Sequence, residues 1–247
     1  VYKLLALLLF FPAAFAQNLR VAAAADLQPV LPPILDEFEA QTHLHVDVSY
    51  QSSATLATQI ENGAPFDLFL AADLSFPQHV IDAGLGETTQ PVPYARGTLV
   101  LWTRNDSPFR SLSVDTLRSP DLKTVAMANP QHAPYGRAAE ASLHHLGLYD
   151  QIRPRLVIAE NIAQTAQYVE SGNAQVGLIS LTSAVSQQLR SIGHYFIMPR
   201  DSYPPILQGA VVLKHSSHKN DAQRLLNFLL SSQVEKELLQ RGLEPPR

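Results

Sequence analysis

The residues with chemical potential in this sequence recur in one kind of place. Ala25-Asp26, Ser52-Ser53, Pro134-Tyr135-Gly136, Asn161-Ile162 and Ser180 each follow a short apolar run and precede a stretch with helical spacing. A helix that starts there has backbone N–H groups with no intrahelical partner, at the positive end of its dipole. Several such starts facing one point would hold an anion without lysine or arginine, and each serine adds a hydroxyl donor. Ser, Asn and Asp are also the ordinary caps of any helix. Each position alone therefore reads as a cap, and only the set suggests a site.

Other chemistries find less support. With 0 cysteines there is no thiol nucleophile, zinc thiolate or iron–sulfur cluster. The chain has no G-x-S-x-G elbow and no phosphate-cradling glycine loop. His132, His144 and His145 lack a spacing with carboxylates that would place ligands on one face, so no metal site is expected. Arg96 and Arg137 read as surface residues, with Arg137 better placed to steer an anion. Asp67 and Asp73 flank a buried strand and read as turn or cap residues. A hydrolase built on Asp26 and a cleft histidine would need a base within reach of a nucleophile. No junction supplies that pair, so a binding protein is expected rather than an enzyme.

The elements that must position these junctions alternate, strand then helix, along the chain. Leu19–Ala24 reads as a first strand. The next helix carries Leu31, Ile34, Leu35 and Phe38 on one face, with Pro32 and Pro33 predicting a late start or a kink. Leu44, Val46, Val48 and Tyr50 alternate as a strand, a short helix closes at Asn62-Gly63, and 66–70 is a buried strand. Further strands are read at 99–102, 125–127, 156–158, 176–179 and 210–213, with amphipathic helices at the end. This order predicts α/β layering around mainly parallel sheets, in which ligands bind at the carboxyl ends of strands.

The N-terminal segment sets the compartment. Lys3, the apolar run Leu4–Phe11, Pro12 and Ala14-Phe15-Ala16 have the form of a cleaved signal peptide, with cleavage after Ala16. The run is too short to span a bilayer, which needs roughly 20 residues. Cleavage removes one lysine and takes the formal net charge from -4 to -5. Mild acidity gives no support for nucleic-acid binding. With no cysteine to carry a lipid, the expectation is a periplasmic protein that is free in solution, not membrane-embedded, and monomeric.

Longer blocks carry a resemblance. Val21–Leu27, Ser49–Ala54, Gln59–Asp73, Tyr94–Gly97, Asn129–Ala139, Glu160–Ile162 and Gln208–Leu213 resemble the periplasmic molybdate-binding protein family, in order and across nearly the whole mature chain. Gly-Ala-Pro-Phe-Asp-Leu-Phe (63–69) and His-Ala-Pro-Tyr-Gly (132–136) are the most specific blocks together. The resemblance implies a type II periplasmic-binding-protein fold, with two α/β lobes and a hinge of two crossovers. Residues 17–96 and 206–247 would form lobe one and 97–205 lobe two. It implies a tetrahedral oxyanion as ligand, molybdate and also tungstate, with no cofactor. An ABC permease and its ATPase are implied as partners. Asp26, Ser53, Tyr135, Ile162 and Ser180 fall at the positions implied to hold the oxyanion. Ser53 would donate through hydroxyl and N–H, and Tyr135 and Ile162 through backbone N–H. Ser180 stands where some members place a longer tyrosine.

Asp26 departs from the serine common in that family. A carboxylate about 4 Å from an anionic oxygen is repelled by roughly 4 kcal/mol per charge pair at an effective dielectric near 20. Asp26 could cap its own helix and offer only its N–H, carry a proton, or accept a proton from a different ligand. Capping is the favoured reading. A sulfate- or phosphate-like ligand stays open, because an inward Asp26 could accept the proton of hydrogen phosphate.

Overall fold

The computed structural model describes residues 18–246, so the expected signal segment lies outside the described residues. The chain builds two lobes. The first half supplies β1 (Leu19–Ala24), α1 (Leu31–Thr42), β2 (Val46–Gln51), α2 (Ser53–Glu61), β3 (Leu68–Ala71), α3 (Ser75–Asp82) and β4 (Val92–Gly97). The chain then crosses and lays down β5 (Leu99–Arg104), α4 (Val114–Arg118), β6 (Val125–Ala128), α5 (Pro134–His145), α6 (Tyr149–Ile152) and β7 (Leu156–Ala159). It continues with α7 (Ile162–Glu170), β8 (Val176–Ser180), α8 (Leu181–Ala184), α9 (Gln187–Ile192) and β9 (Gly193–Ile197). It returns to the first lobe with β10 (Ile206–Val212), α10 (Lys219–Leu229) and α11 (Ser232–Gln240).

The two sheets share one plan, β2-β1-β3-β10-β4 in the first lobe and β7-β6-β8-β5-β9 in the second. In each, three neighbouring strands run parallel. The fourth strand, β10 or β5, is antiparallel to both its neighbours. That odd strand is the one arriving from the other lobe.

Helices cover both faces of each sheet, which explains the near-continuous apolar strands. Leu19, Val21 and Ala23 of β1 pack against α1, α10 and α11, while Ala22 packs with Leu56, Ile60 and Val80 on the other side. In β5, Leu99 and Leu101 face one core and Val100 and Trp102 the opposite one. The double proline of α1 falls in its first turn, where no intrahelical N–H is lost. The helix thus starts late rather than kinking.

The two crossovers are clasped by the chain's last residues. Arg96 and Glu244 exchange backbone hydrogen bonds, N–H to carbonyl, at 2.7 and 2.9 Å. The Glu244 carboxylate also pairs with Arg200, in the return crossover, and with Arg96 at 2.6 Å. Arg200 and then Arg96 hold its carboxyl down at about 2. Such a group contributes stability above its ordinary pKa, and that contribution is lost as pH falls through 2. Glu244→Gln is expected to lower stability by about 1–2 kcal/mol at neutral pH, the partial exposure of the pair keeping the figure small. Urea unfolding at pH 7, 4 and 2.5 should show the gap to the wild type closing toward the lowest pH.

Candidate functional site

The carboxyl ends of the parallel strands in both lobes point into one cleft, and the junctions singled out in the sequence meet there. β1 runs into a 3-10 turn, Ala25–Leu27, which carries Asp26. β2 ends at α2, whose first residue is Ser53; Ser52 caps that helix, its Oγ accepting the Thr55 N–H at 3.2 Å. From the second lobe, α5 opens with Pro134 and Tyr135, and α7 opens with Ile162 behind the cap Asn161, whose Oδ1 accepts the Gln164 N–H at 2.9 Å.

Asp26, Ser53, Tyr135 and Ile162 line one small pocket with Ala24, Ala25, Gln51, Ser52, Ala72, Ala133, Pro134 and Asn161. The lobes close tightly on it, and the space left between them is about that of a single water molecule. No lysine, arginine or histidine is among the lining residues.

Each predicted residue can be placed. Ser53 is buried, and its Oγ accepts the Ala72 N–H at 3.1 Å, which leaves its own hydroxyl proton free to donate. Tyr135 and Ile162 are both buried in the first turns of their helices, where N–H groups lack intrahelical partners. Ser180 does not line the pocket. It caps α8, accepting the Ser183 N–H at 3.2 Å and donating to the Ser183 hydroxyl at 2.9 Å, so its oxygen is engaged within its own turn.

Asp26 corrects the favoured reading. It is 0% exposed, sits inside its turn rather than ahead of it, and caps no helix with its side chain. Its Oδ2 accepts from Gln208 Nε2 at 2.5 Å, and the Tyr135 hydroxyl faces the same carboxyl. Its Oδ1 is buried without a hydrogen-bond partner. Burial pushes the carboxyl up from its usual 3.8 to about 7, against the downward pull of Gln208 and Tyr135. Near neutral pH the carboxyl is thus divided between its protonated and charged forms.

Sequence reasoning passed over the residues that orient this carboxyl. Gln208 is fully buried, and its Oε1 accepts the Tyr94 hydroxyl at 2.7 Å, which turns its NH2 group toward Asp26. Burial lifts the Tyr94 and Tyr135 hydroxyls well above their ordinary range, so both remain protonated. A signal existed, since Gln208 is the only polar side chain in the run Ile206–Val212. Gly97 completes the arrangement, because a Cβ there would lie 2.1 Å from the Tyr135 hydroxyl oxygen.

Three further contacts tie the lobes across the cleft. Ala54 N–H donates to the His132 carbonyl at 3.1 Å, Thr182 Oγ1 donates to the Asp26 carbonyl at 2.8 Å, and Arg137 pairs with Asp73. Arg137 also lies over the Phe76 ring at 5.1 Å. Asp73 still serves its turn, accepting the Phe76 N–H at 3.1 Å. His132 pairs with Glu160 at 2.8 Å, and His144 stacks on Tyr149. Among the described residues no cluster of histidine and carboxylate groups is arranged to hold a metal ion.

Two α/β lobes meeting at a pocket at their strand ends have the architecture of a two-lobed solute-binding protein. Comparison with known proteins agrees. Residues 19–244 match the model of the bacterial extracellular solute-binding protein family. The molybdate-binding protein ModA of Rhodobacter capsulatus is 34% identical over 90% of this chain and 85% of its own length. ModA of Azotobacter vinelandii is 35% identical over 88% of this chain and 86% of its own length. The solved periplasmic molybdate-binding protein of A. vinelandii superimposes with a TM-score of 0.87 at 29% identity, covering 93% of this chain and 100% of that one. The sulfate-binding protein SubI of Mycobacterium tuberculosis, at 17% identity and a TM-score of 0.77, shares the fold. The chain belongs to the bacterial extracellular solute-binding proteins, and among them to the ModA-type molybdate-binding family.

The raised Asp26 titration predicts a pH dependence of stability. Between 3.8 and about 7 the folded chain holds a proton that the unfolded chain has lost. The contribution is fully present below 3.8 and is lost as pH rises through about 7. Across that window it amounts to about 4 kcal/mol at most. Asp26→Asn keeps the acceptor for Gln208 and removes the ionisation. Its melting temperature should exceed the wild type's at pH 8 and converge with it near pH 4, by circular dichroism melts.

Proposed function

We propose that this protein captures a tetrahedral oxyanion, molybdate and equally tungstate, in the cleft pocket and delivers it to an ABC permease driven by its ATPase. The observation that carries this is the pocket itself, which lies at the starts of three helices with Ser52, Ser53 and Asn161 in its lining and no cationic side chain. Neutral donors that converge on a small buried volume suit a compact anion with acceptors on every side. In this reading Ser53 donates through hydroxyl and N–H, Tyr135 and Ile162 through backbone N–H, and Asp26 from the first lobe. The ModA relatives support the choice of ligand.

Lobe one would comprise 17–96 and 206–247 and lobe two 97–205, closing by rotation about the two crossovers. The protein would work in the periplasm after loss of residues 1–16, as a monomer. None of the helices among the described residues is long and apolar enough to cross a membrane. The pocket holds serines but no histidine base beside them, which supports binding over turnover.

A second reading is favoured by Asp26 alone. A buried carboxylate would accept the proton of a hydrogen-bearing oxyanion such as hydrogen phosphate, which a purely donating pocket rejects.

Thermal unfolding with each of four anions separates the two readings. A ligand present at 100 times its Kd adds about 2.7 kcal/mol of stability. Molybdate and tungstate are expected to raise the melting temperature by several degrees while sulfate and phosphate leave it in place. A shift with phosphate alone would establish the second reading. Ser53→Ala, which deletes one donor to a charged ligand, should weaken molybdate binding about tenfold or more by calorimetry.

A further inference from the structure

We propose that Asp26 is a proton-carrying hydrogen-bond donor to the oxyanion, through Oδ1, so that each dianion bound above neutral pH brings one proton from solvent onto that oxygen. This inference rests on the oxyanion reading above and names how the same site recognises charge and protonation state.

The geometry points to Oδ1 in three steps. Tyr94 donates to Gln208 Oε1 at 2.7 Å, which fixes the amide with its NH2 toward Asp26. That NH2 donates to Oδ2 at 2.5 Å, so Oδ2 serves as the acceptor of the carboxyl. Oδ1 remains, buried, without a partner, on a residue that lines the pocket. A proton on Oδ1 turns that atom from an unsatisfied acceptor into a donor that an anionic oxygen can satisfy. With the proton absent, the same atom would face the anion as a like charge in a closed, water-poor space. The amide thus occupies one carboxyl oxygen and leaves the other without a partner, and it is burial, against the pull of Gln208, that favours the neutral acid.

No fixed charge nearby substitutes for the proton. The turn that carries Asp26 packs against β2, α7 and α8. β2 carries Asp47 and Tyr50, α7 carries Tyr168 and Glu170, and α8 carries no ionisable side chain. From β4 and α5 the approaching groups are Tyr94 and Tyr135, both protonated. Asp73, which acts on Tyr94, is paired with Arg137 across the cleft. The side chains that lower the Asp26 titration are Gln208 and Tyr135, both neutral; no cation is among its causes.

The proton balance is simple. Below neutrality the acid is already protonated and the dianion binds without proton exchange. Above it, the free protein carries the carboxylate, and binding takes up one proton per ligand, so affinity falls about tenfold per pH unit. The selectivity that follows favours an anion with no proton of its own, because a hydrogen-bearing ligand and a protonated Asp26 would place two donors against each other.

Isothermal calorimetry of the full chain with sodium molybdate at pH 6.5, 7.5, 8.5 and 9 tests this, each in two buffers of different ionisation enthalpy. The expected result is an apparent Kd that rises about tenfold per unit above pH 7.5, with proton uptake approaching one per molybdate from the buffer comparison. Asp26→Asn, whose amide donates at every pH, should show a flat Kd and no proton uptake over the same range. Tight wild-type binding with a flat Kd and no proton uptake overturns the inference and leaves the oxyanion reading standing. No heat from molybdate at any pH in either protein overturns the oxyanion reading, and this inference with it. The wild-type proton count alone decides the matter should the variant fold poorly.

Discussion

A parallel strand can be followed only by a crossover that returns the chain to the same end of the sheet, and in this chain that crossover is a helix. Each such helix starts where the strand before it stops. In both lobes the parallel strands run toward the cleft, so helix starts accumulate on its two walls. The pocket is the place where α2, α5 and α7 begin, together with the turn after β1. Backbone N–H groups that the helices leave unpaired stand at these starts, and alanines and serines make up half of the lining. Neither lobe holds all of them, so the site exists only when the lobes face each other.

Within that pocket Asp26 contributes the one carboxyl group among the lining residues. Burial without a cation moves its proton affinity upward by the loss of water alone, and the donors from Gln208 and Tyr135 offset only part of that change. Gln208 is a residue of the antiparallel strand β10, which enters the first sheet from the second lobe, and Tyr135 belongs to the second lobe itself. The carboxyl is thus held by groups from both sides of the hinge. Gly97, at the outgoing crossover, leaves the space that the Tyr135 hydroxyl occupies. Hinge and pocket are in van der Waals contact, and no relay is needed between them.

Much of this was legible in the sequence, and the rest was hidden for physical reasons. Stretches buried on both faces, such as 21–24 of β1 and 176–179 of β8, are uninterrupted apolar runs and read directly. Two of the four edge strands, β4 and β9, do not. β4 carries Pro93, tolerated because it lies at the sheet edge, and β9 reads Gly-His-Tyr-Phe-Ile with Tyr195 and Ile197 exposed. α3 has Pro77 in its first turn. At the site, the helix starts at Ser53, Tyr135 and Ile162 could be located because capping residues and a proline mark them. The fate of Asp26 could not be read, because it depends on Gln208, 182 residues away. Ser180 has the same kind of residue at the same kind of corner, and only the fold shows its oxygen turned into its own helix.

The exchange of β5 and β10 between the lobes also sets an order of assembly. All strands of the second sheet lie between Leu99 and Ile197, so that sheet can close within one continuous stretch of the chain. The first sheet cannot. Its β3 and β4 are separated by β10, and the pairing of Leu68–Ala71 with Ile206–Val212 waits until nearly the whole chain is available. Closing so long a loop is slow, since its entropy is lost before the contacts are gained. The topology therefore favours maturation from the middle outward, with the first lobe carrying two open strand edges until β10 slots between them.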